Sequence, residues 1–118
     1  MKKTLRQVGD AGEDLAAAAL KKQGYRIIER NFSCPLGEVD LIARQGDFLV
    51  FVEVKTRRGA SFGGAAEAVH PAKQAKLMRL AEYYMNEKRL KEAKVRFDVV
   101  AVNWEGETPR VEIIQDAF

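Results

Sequence analysis

Three residues in the middle of the sequence have the chemistry to bind a metal ion and to activate water. Asp40 and Glu53 offer carboxylate oxygens, and Lys55 follows Glu53 closely in the chain. Hard cations such as Mg²⁺ or Mn²⁺ take oxygen ligands, commonly one or two carboxylates together with waters and a substrate phosphate. Such an ion polarises the phosphate and lowers the pKa of its bound water, which a nearby lysine orients or helps to deprotonate. These residue types therefore favour hydrolysis of a phosphate ester.

A β-hairpin is predicted to bring these side chains together. Gly46-Asp47 stands between two apolar runs as a turn, and antiparallel pairing from it sets Asp40 opposite Glu53. The same pairing sets Glu38 opposite Lys55, so that all four side chains emerge on one face of the sheet. The other face is predicted to take Val39, Leu41, Val52 and Val54. Two opposed carboxylates repel each other, and a divalent cation between them resolves the repulsion.

An ordinary solvated sheet face, with Glu38 and Lys55 as a simple ion pair, fits the same pattern. The first helix helps to distinguish a metal site from an ordinary solvated sheet face. A capping-box pattern predicts that the helix begins at Thr4, and the helix is predicted to run to Gln23, just before Gly24. Its predicted apolar stripe is Val8, Gly12, Leu15, Ala16 and Ala19. Glu13 lies on the flank of this stripe, and if the helix covers the hairpin there, the charged residues line a groove.

The remaining elements alternate between strands and helices, which is typical of an α/β fold. The predicted elements are strands at 25–32, 38–45 and 48–55, a mobile glycine-rich loop at 56–70, a helix from Pro71 to about Lys88, and strands at 95–104 and 110–114. In the second helix, Leu77, Ala81 and Tyr84 are predicted to face inward. The length of 118 residues fits one domain, 1–118, and neither an internal repeat nor a linker divides it.

Basic residues follow the Glu53 strand and suggest a polyanionic partner. Arg57 and Arg58 lead the predicted loop, while Lys73 and Gln74 begin the second helix on the side that continues inward. These side chains could contact phosphates in the groove. Helix capping and solvation of a helix face explain Lys73 and Gln74 equally well. The formal net charge of +3 supports the nucleic-acid interpretation only weakly.

Several conspicuous residues are predicted to have no part in chemistry. Cys34 is the single cysteine, which excludes an internal disulfide and a cysteine-based zinc site and favours the cytoplasm. Polar residues soon after Met1 argue against an export signal or a membrane span. His70 is expected to be structural, and Asp98 a packed or hydrogen-bonded strand residue. Trp104 and Phe118 are predicted core or interface anchors.

Longer motifs carry a resemblance to a known family. Glu13, Gly37–Ile42 and Glu53–Lys55 resemble the PD-(D/E)XK nuclease pattern, in which an acidic residue and an E-x-K element lie on neighbouring strands. The segments Phe62–Ala66, Lys73–Gln74, Arg96–Ala101 and Asp116–Phe118 extend the match, so that nearly the whole chain resembles the bacterial YraN family of predicted endonucleases. The resemblance implies a restriction-endonuclease-like three-layer fold, with a central mixed sheet and a helix on each side.

The resemblance also implies roles for individual residues. Asp40, Glu53 and the Val54 carbonyl would hold Mg²⁺ or Mn²⁺, Lys55 would serve the water, and Glu13 would act through a bound water or a second ion. The implied activity is endonucleolytic, with DNA favoured and RNA as the alternative substrate. A nucleic-acid binding module without turnover is the main alternative function, and a protein-interaction scaffold is a third. Leu36 departs from the pattern, because many relatives carry proline near this position.

The YraN family is similar in turn to archaeal Holliday-junction resolvases, which suggests a homodimer that prefers branched DNA. Symmetric cleavage of a junction needs two sites related by a two-fold axis. Candidate contact residues are the apolar side chains of the last strands, namely Trp104, Val111, Ile113 and Phe118. A monomer that nicks flaps or single strands is the alternative.

Overall fold

One mixed sheet organises the chain. The computed structural model describes residues 5–58, 69–90 and 92–118, and for residues 5–10 the backbone alone. The elements are α1 (Leu5–Lys22), β1 (Arg26–Cys34), β2 (Gly37–Gln45), β3 (Phe48–Arg58), α2 (Pro71–Glu87), β4 (Lys94–Glu105) and β5 (Thr108–Ile114). The five strands lie in the order β1-β2-β3-β4-β5. Only β3 and β4 pair in parallel among these strands, and the crossover between them contains α2.

Helix α1 ends where the sequence predicts, because Gly24 adopts a left-handed backbone conformation with φ of 86°. The Tyr25 N–H donates to the Leu20 carbonyl and the Gly24 N–H donates to the Lys21 carbonyl. These two bonds form a Schellman motif, which satisfies carbonyls that the end of a helix leaves without a partner. The predicted cap at Thr4 lies outside the described residues.

The side of the sheet that α1 covers is called here the α1 face. Its buried residues are Ala16, Ala17 and Leu20 of α1 with Tyr25, Leu41, Ala43, Val50, Val52, Val100, Val102 and Trp104. Gly12 brings the helix backbone against β3, since a Cβ at this position would collide with the Thr56 hydroxyl. The predicted stripe was correct for Gly12 and Ala16, whereas Leu15 and Ala19 are only partly buried.

The opposite side, called here the α2 face, packs against the second helix. Leu77, Leu80, Ala81 and Tyr84 of α2 are buried there against sheet residues such as Phe51. This result confirms the inward positions predicted for α2. With one helix on each face, the predicted three-layer α/β arrangement is confirmed.

Three predicted boundaries were wrong by two or more residues because strands extend further than their turn signals suggest, and one of them is the start of β5 at Thr108 instead of residue 110. Strand β3 continues to Arg58, so Thr56–Arg58 belong to the sheet and not to the predicted loop. Parallel pairing with β4 holds them there, up to Arg58 opposite Trp104. The loop positions 59–68 lie outside the described residues. Strand β1 likewise continues to Cys34, which pairs with Gly37 across a short turn.

A buried polar network holds the sheet at the end where β3 and β4 begin. The Asp98 carboxylate is fully buried and accepts hydrogen bonds from the Tyr25 hydroxyl at 2.7 Å and from the Arg96 guanidinium at 2.8 and 2.9 Å. It also accepts from the Asp116 backbone N–H at 2.9 Å. The hydrogen bonds to Asp98 raise the pKa of Arg96, so the guanidinium keeps its charge. The prediction that Asp98 is a hydrogen-bonded strand residue is confirmed.

The C-terminal residues pack onto this end of the sheet. The Ala117 N–H donates to the Phe97 carbonyl, and the Phe118 ring stacks on Phe97 with centroids 5.1 Å apart. Trp104 is 5% exposed within the α1 face, so its predicted role as a contact surface was wrong and its predicted role as a core anchor is confirmed.

Neither described helix has a span both long and apolar enough to cross a membrane.

Removing Asp98 should destabilise the protein strongly, because it leaves the Arg96 charge and the Tyr25 hydroxyl without their partner. We expect Asp98→Ala to lower the free energy of unfolding by about 3–5 kcal/mol in denaturant titrations at pH 7. The matched control on the same strand is Glu105→Ala, whose ion pair with Arg110 at 3.7 Å is well exposed. Its loss should stay below about 1 kcal/mol. Equal losses in the two variants would contradict a stabilising role for the network.

Candidate functional site at the fork between β2 and β3

The β2–β3 ladder ends in the middle of the sheet. Pairing follows the predicted register from Gln45–Phe48 to Leu41–Val52 and stops there. The predicted pairs Asp40–Glu53 and Glu38–Lys55 are not part of the ladder. Beyond this point β3 stays paired with β4, and β2 stays paired with β1. The two strands therefore separate into a fork at the level of Asp40 and Glu53.

A side chain replaces the ladder at the fork. The Val54 N–H donates to Asp40 Oδ2 at 2.8 Å, where a regular antiparallel pair would use a backbone carbonyl. The N–H and C=O groups of one strand residue point to the same side. The Val54 carbonyl consequently faces the fork as well, beside the Asp40 carboxylate.

The backbone of β2 changes face at the same place. Val39 is buried on the α2 face, whereas Leu41 is buried on the α1 face. In a regular strand these two residues would share a face. The prediction that Val39 joins Leu41 and Val52 on one face was therefore wrong. Asp40 lies between Val39 and Leu41, and its carboxylate reaches the Val54 N–H in the fork.

Glu53 carries one of two buried carboxylates among the described residues, with 7% of the residue exposed. Lys55 Nζ lies 3.6 Å from Glu53 Oε1, and Lys73 Nζ of α2 lies at the same distance from that oxygen. Both ammonium groups are partly exposed. Lys73 thus reaches the site from the second helix, which is one of the two alternatives that the sequence left open for it.

Asp40 lies in an unfavourable electrostatic environment. Burial, followed by the negative charge of Glu53, raises the pKa of Asp40 to about 6, and the Val54 N–H opposes this rise. Glu13 and Glu38 add smaller contributions in the same direction, so three acidic side chains act on Asp40. Helix α1 supplies Glu13 from the side of the sheet opposite to Lys73. The fork therefore collects charges from both faces.

Asn31 and Glu38 are two site residues whose roles the sequence did not reveal. Carboxylate oxygens only accept hydrogen bonds, so the Asn31 amide nitrogen faces its two acidic neighbours. It lies 3.1 Å from Glu13 Oε1 and 3.1 Å from Glu38 Oε1. Strand alternation paired Glu38 with Lys55 instead. Asn31 follows Arg30 in a predicted strand, and the pattern of polar and apolar residues there does not indicate that its side chain contacts Glu13 and Glu38.

The remaining predicted binding residues have different environments. Arg57 is half-buried and Arg58 exposed at the end of β3, on the same strand as Glu53. The Gln74 side chain donates to the Val69 carbonyl at 2.9 Å, so it holds the start of α2 as the capping alternative predicted. His70 is the N-cap of α2, and its Nδ1 accepts from the Lys73 N–H at 3.4 Å. The expected structural role of His70 is confirmed.

The donor groups at the fork fit a hard divalent cation. Asp40, Glu53 and the Val54 carbonyl supply oxygens, and a cation would relieve the repulsion that burdens Asp40. Among the described residues no set of three or more histidine, cysteine, aspartate or glutamate side chains stands ready to enclose a metal ion. Mg²⁺ does not require such a cage, because it commonly keeps several waters and uses one or two carboxylates.

The fold and site define a three-layer α/β protein whose mixed sheet opens at an acidic fork flanked by lysines. Comparison with known sequences identifies the family. The model of the uncharacterised protein family UPF0102 matches residues 12–102, and the chain belongs to this family. A UPF0102 protein of Syntrophus aciditrophicus is 48% identical over 95% of this chain and 88% of its own length. A UPF0102 protein of Rhodococcus opacus is 50% identical over 94% and 95%, respectively.

Replacing Asp40 by Asn should stabilise the metal-free protein at pH 8. Because folding raises the pKa of Asp40 from 3.8 to about 6, the native state loses stability as pH rises through this window. Asn removes the charge and retains an oxygen for the Val54 N–H. We expect a gain in unfolding free energy of up to about 3 kcal/mol at pH 8 that is largely gone at pH 4.

Denaturant titrations without metal at the two pH values measure this difference. The control is Asp47→Asn, which makes the same chemical change at an exposed residue of the hairpin turn. It should leave the unfolding free energy nearly unchanged at both pH values. A loss of stability in Asp40→Asn at pH 8 would contradict the repulsion at the fork.

Proposed function

We propose that this chain is a metal-dependent endonuclease that hydrolyses phosphodiester bonds of DNA. The observation that carries the proposal is the convergence of Asp40 and Glu53 on a fork that Lys55 and Lys73 flank. Carboxylates that repel each other favour a divalent cation, and ammonium groups next to them favour phosphate oxygens. A phosphodiester brings its negative charge to the lysines while the acidic side chains hold the ion.

Each residue at the fork has a proposed task. Asp40, Glu53 and the Val54 carbonyl would hold Mg²⁺ or Mn²⁺, which when bound would supply Lewis-acid polarisation of the phosphate and a water of lowered pKa. Lys55 would orient the attacking water. As the new bond from the water oxygen to phosphorus forms, the bond from phosphorus to the leaving oxygen breaks, and the proton that the water loses passes through solvent to the leaving oxygen. Lys73 binds a non-bridging phosphate oxygen. Glu13, on the α1 side, acts through a bound water or a second ion.

Basic residues on the same strand support a nucleic-acid substrate. Arg57 and Arg58 lie two and three residues beyond Lys55 on β3, so a nucleic-acid backbone with one phosphate at the fork would have basic side chains further along the same strand. Contacts of this kind give affinity without sequence preference. The resemblance to the YraN nucleases favours DNA over RNA, and no described contact favours a particular base.

A nucleic-acid binding module without turnover is the second candidate. Two lysines already surround the Glu53 carboxylate at 3.6 Å, so part of the acidic charge is compensated without any metal. A site of this kind could bind phosphates through Lys55 and Lys73 alone. Divalent-metal dependence separates the two functions.

A cleavage panel tests the proposed activity. We expect strand scission with Mg²⁺ or Mn²⁺ on at least one of single-stranded, duplex, flap and four-way DNA, and none with EDTA. Asp40→Asn and Glu53→Gln should each lower the rate by at least about 100-fold, because each removes a proposed metal ligand. Paired cuts across the four-way junction would indicate the homodimer, whereas single nicks indicate a monomer. Metal-independent binding without scission on all four DNAs would favour the binding module.

The contribution of the β3 basic end is tested by salt dependence. Arg57→Ala with Arg58→Ala should weaken duplex binding by a similar factor for unrelated sequences. It should also flatten the plot of log K against log salt concentration by up to about 2, since each phosphate contact contributes about 0.9. The control is Lys21→Ala with Lys22→Ala, which removes the same charge at the far end of α1. An equal change in both double variants would show that only net charge matters.

A further inference from the structure

Asn31 has an unusual backbone for a residue inside a strand. Its φ of 53° places it in the left-handed region, and the β1–β2 pairs Arg30–Leu41 and Phe32–Val39 lie on either side of it. Asparagine tolerates this region better than most residues, although the conformation still costs energy. Asn31 therefore departs from regular strand geometry at the position opposite Asp40, between two paired positions of the β1–β2 ladder.

The distortion gives the Asn31 amide two acidic partners on different elements. Its nitrogen lies 3.1 Å from Glu13 Oε1 of α1 and 3.1 Å from Glu38 Oε1 of β2. An amide NH₂ carries two hydrogens, and this arrangement uses both. One neutral side chain thus connects a helix and two strands, and it holds two like-charged groups near each other.

The two carboxylates so held lie beside the fork. Glu13 and Glu38 both act electrostatically on Asp40, which places them around the same point. Without a donor between them they would repel each other and separate. Groups that hydrogen-bond the residues that bind a metal typically contribute 10- to 100-fold in metal affinity. Glu13, which is proposed to act through a bound water or a second ion, would link Asn31 to the metal in this way.

We infer that Asn31 is a positioning residue that holds Glu13 and Glu38 at the rim of the fork and so sets the affinity of the site for a divalent cation. The inference rests on the proposed metal site. Asparagine meets two requirements of this position, because it tolerates the left-handed backbone and supplies a neutral amide donor. Glycine adopts the backbone without the donor, and aspartate adopts it but adds a third negative charge.

The variant Asn31→Gly distinguishes the contribution of the Asn31 side chain from that of its backbone conformation. Glycine keeps the left-handed conformation at no steric cost, so the fold should persist while the amide is lost. Isothermal calorimetry with Mn²⁺ should show an affinity about tenfold lower than that of the wild-type protein. The control is Arg89→Gly, which replaces another left-handed residue, with φ of 56°, just after α2. Undiminished Mn²⁺ affinity in a folded Asn31→Gly protein would overturn the inference.

Asn31→Asp provides a second test that requires no metal. It places a third carboxylate between Glu13 and Glu38, so the melting temperature without metal at pH 8 should fall by roughly 5 °C. The control is Asn103→Asp, which makes the same change between Arg57 and Arg110 on neighbouring strands. An unchanged melting temperature in Asn31→Asp would show that the amide does not face the carboxylates.

The Asp40→Asn variant keeps this inference separable from the proposed metal site. If Asp40→Asn abolishes Mn²⁺ binding while Asn31→Gly leaves it intact, the metal site stands and the role of Asn31 fails. If Asp40→Asn binds Mn²⁺ as tightly as the wild-type protein, the metal site itself is disproved, and the inference about Asn31 falls with it.

Discussion

The site depends on one hydrogen bond that takes the place of a strand ladder. Where β2 and β3 separate, the Val54 N–H is satisfied by Asp40 Oδ2 at 2.8 Å and not by a backbone carbonyl. A buried N–H without a partner would cost about 1–3 kcal/mol, so this bond permits the sheet to open without that penalty. The same bond fixes the Asp40 carboxylate beside Glu53. Strand separation and charge convergence are consequently one structural feature.

Two carboxylates near β3 differ in how far hydrogen-bond donors compensate them. Asp98, which is buried opposite Val52, accepts from the Arg96 guanidinium, the Tyr25 hydroxyl and a backbone N–H. At the fork, Asp40 receives one backbone N–H and lies among other acidic groups, which raises its pKa to about 6. Full satisfaction stabilises a fold, whereas an incompletely compensated group is typical of a site for a ligand.

The sequence was sufficient for the elements and for the residues of the hairpin, but not for the geometry of the fork. The spacing of apolar residues located α2, and the residue types of the turn located Gly46-Asp47. The predicted β2–β3 register is correct as far as the pair Leu41–Val52. Counting by twos then failed, because Val39 and Leu41 lie on opposite faces. The ladder ends here because the Asp40 carboxylate, and not a backbone carbonyl, accepts the hydrogen bond from the Val54 N–H. The alternation of apolar and polar residues in the sequence does not indicate which of the two acceptors is used. The contact of Asn31 with Glu13 spans a helix and a strand, so local sequence could not indicate it either.

The charge balance at the fork also explains how ligands would act together in the proposed function. Without ligands, Lys55 and Lys73 share the Glu53 carboxylate, and each 3.6 Å separation is longer than a direct hydrogen bond. A cation that binds the Glu53 carboxylate would free both ammonium groups from their ion pairs with Glu53. A phosphate that binds the ammonium groups would likewise free the Glu53 carboxylate. Each ligand therefore removes a competitor of the other, and linkage requires the resulting increase in affinity to be reciprocal. In the proposed function, the lysines would therefore hold the acidic site together when it is empty and become phosphate ligands when it is filled.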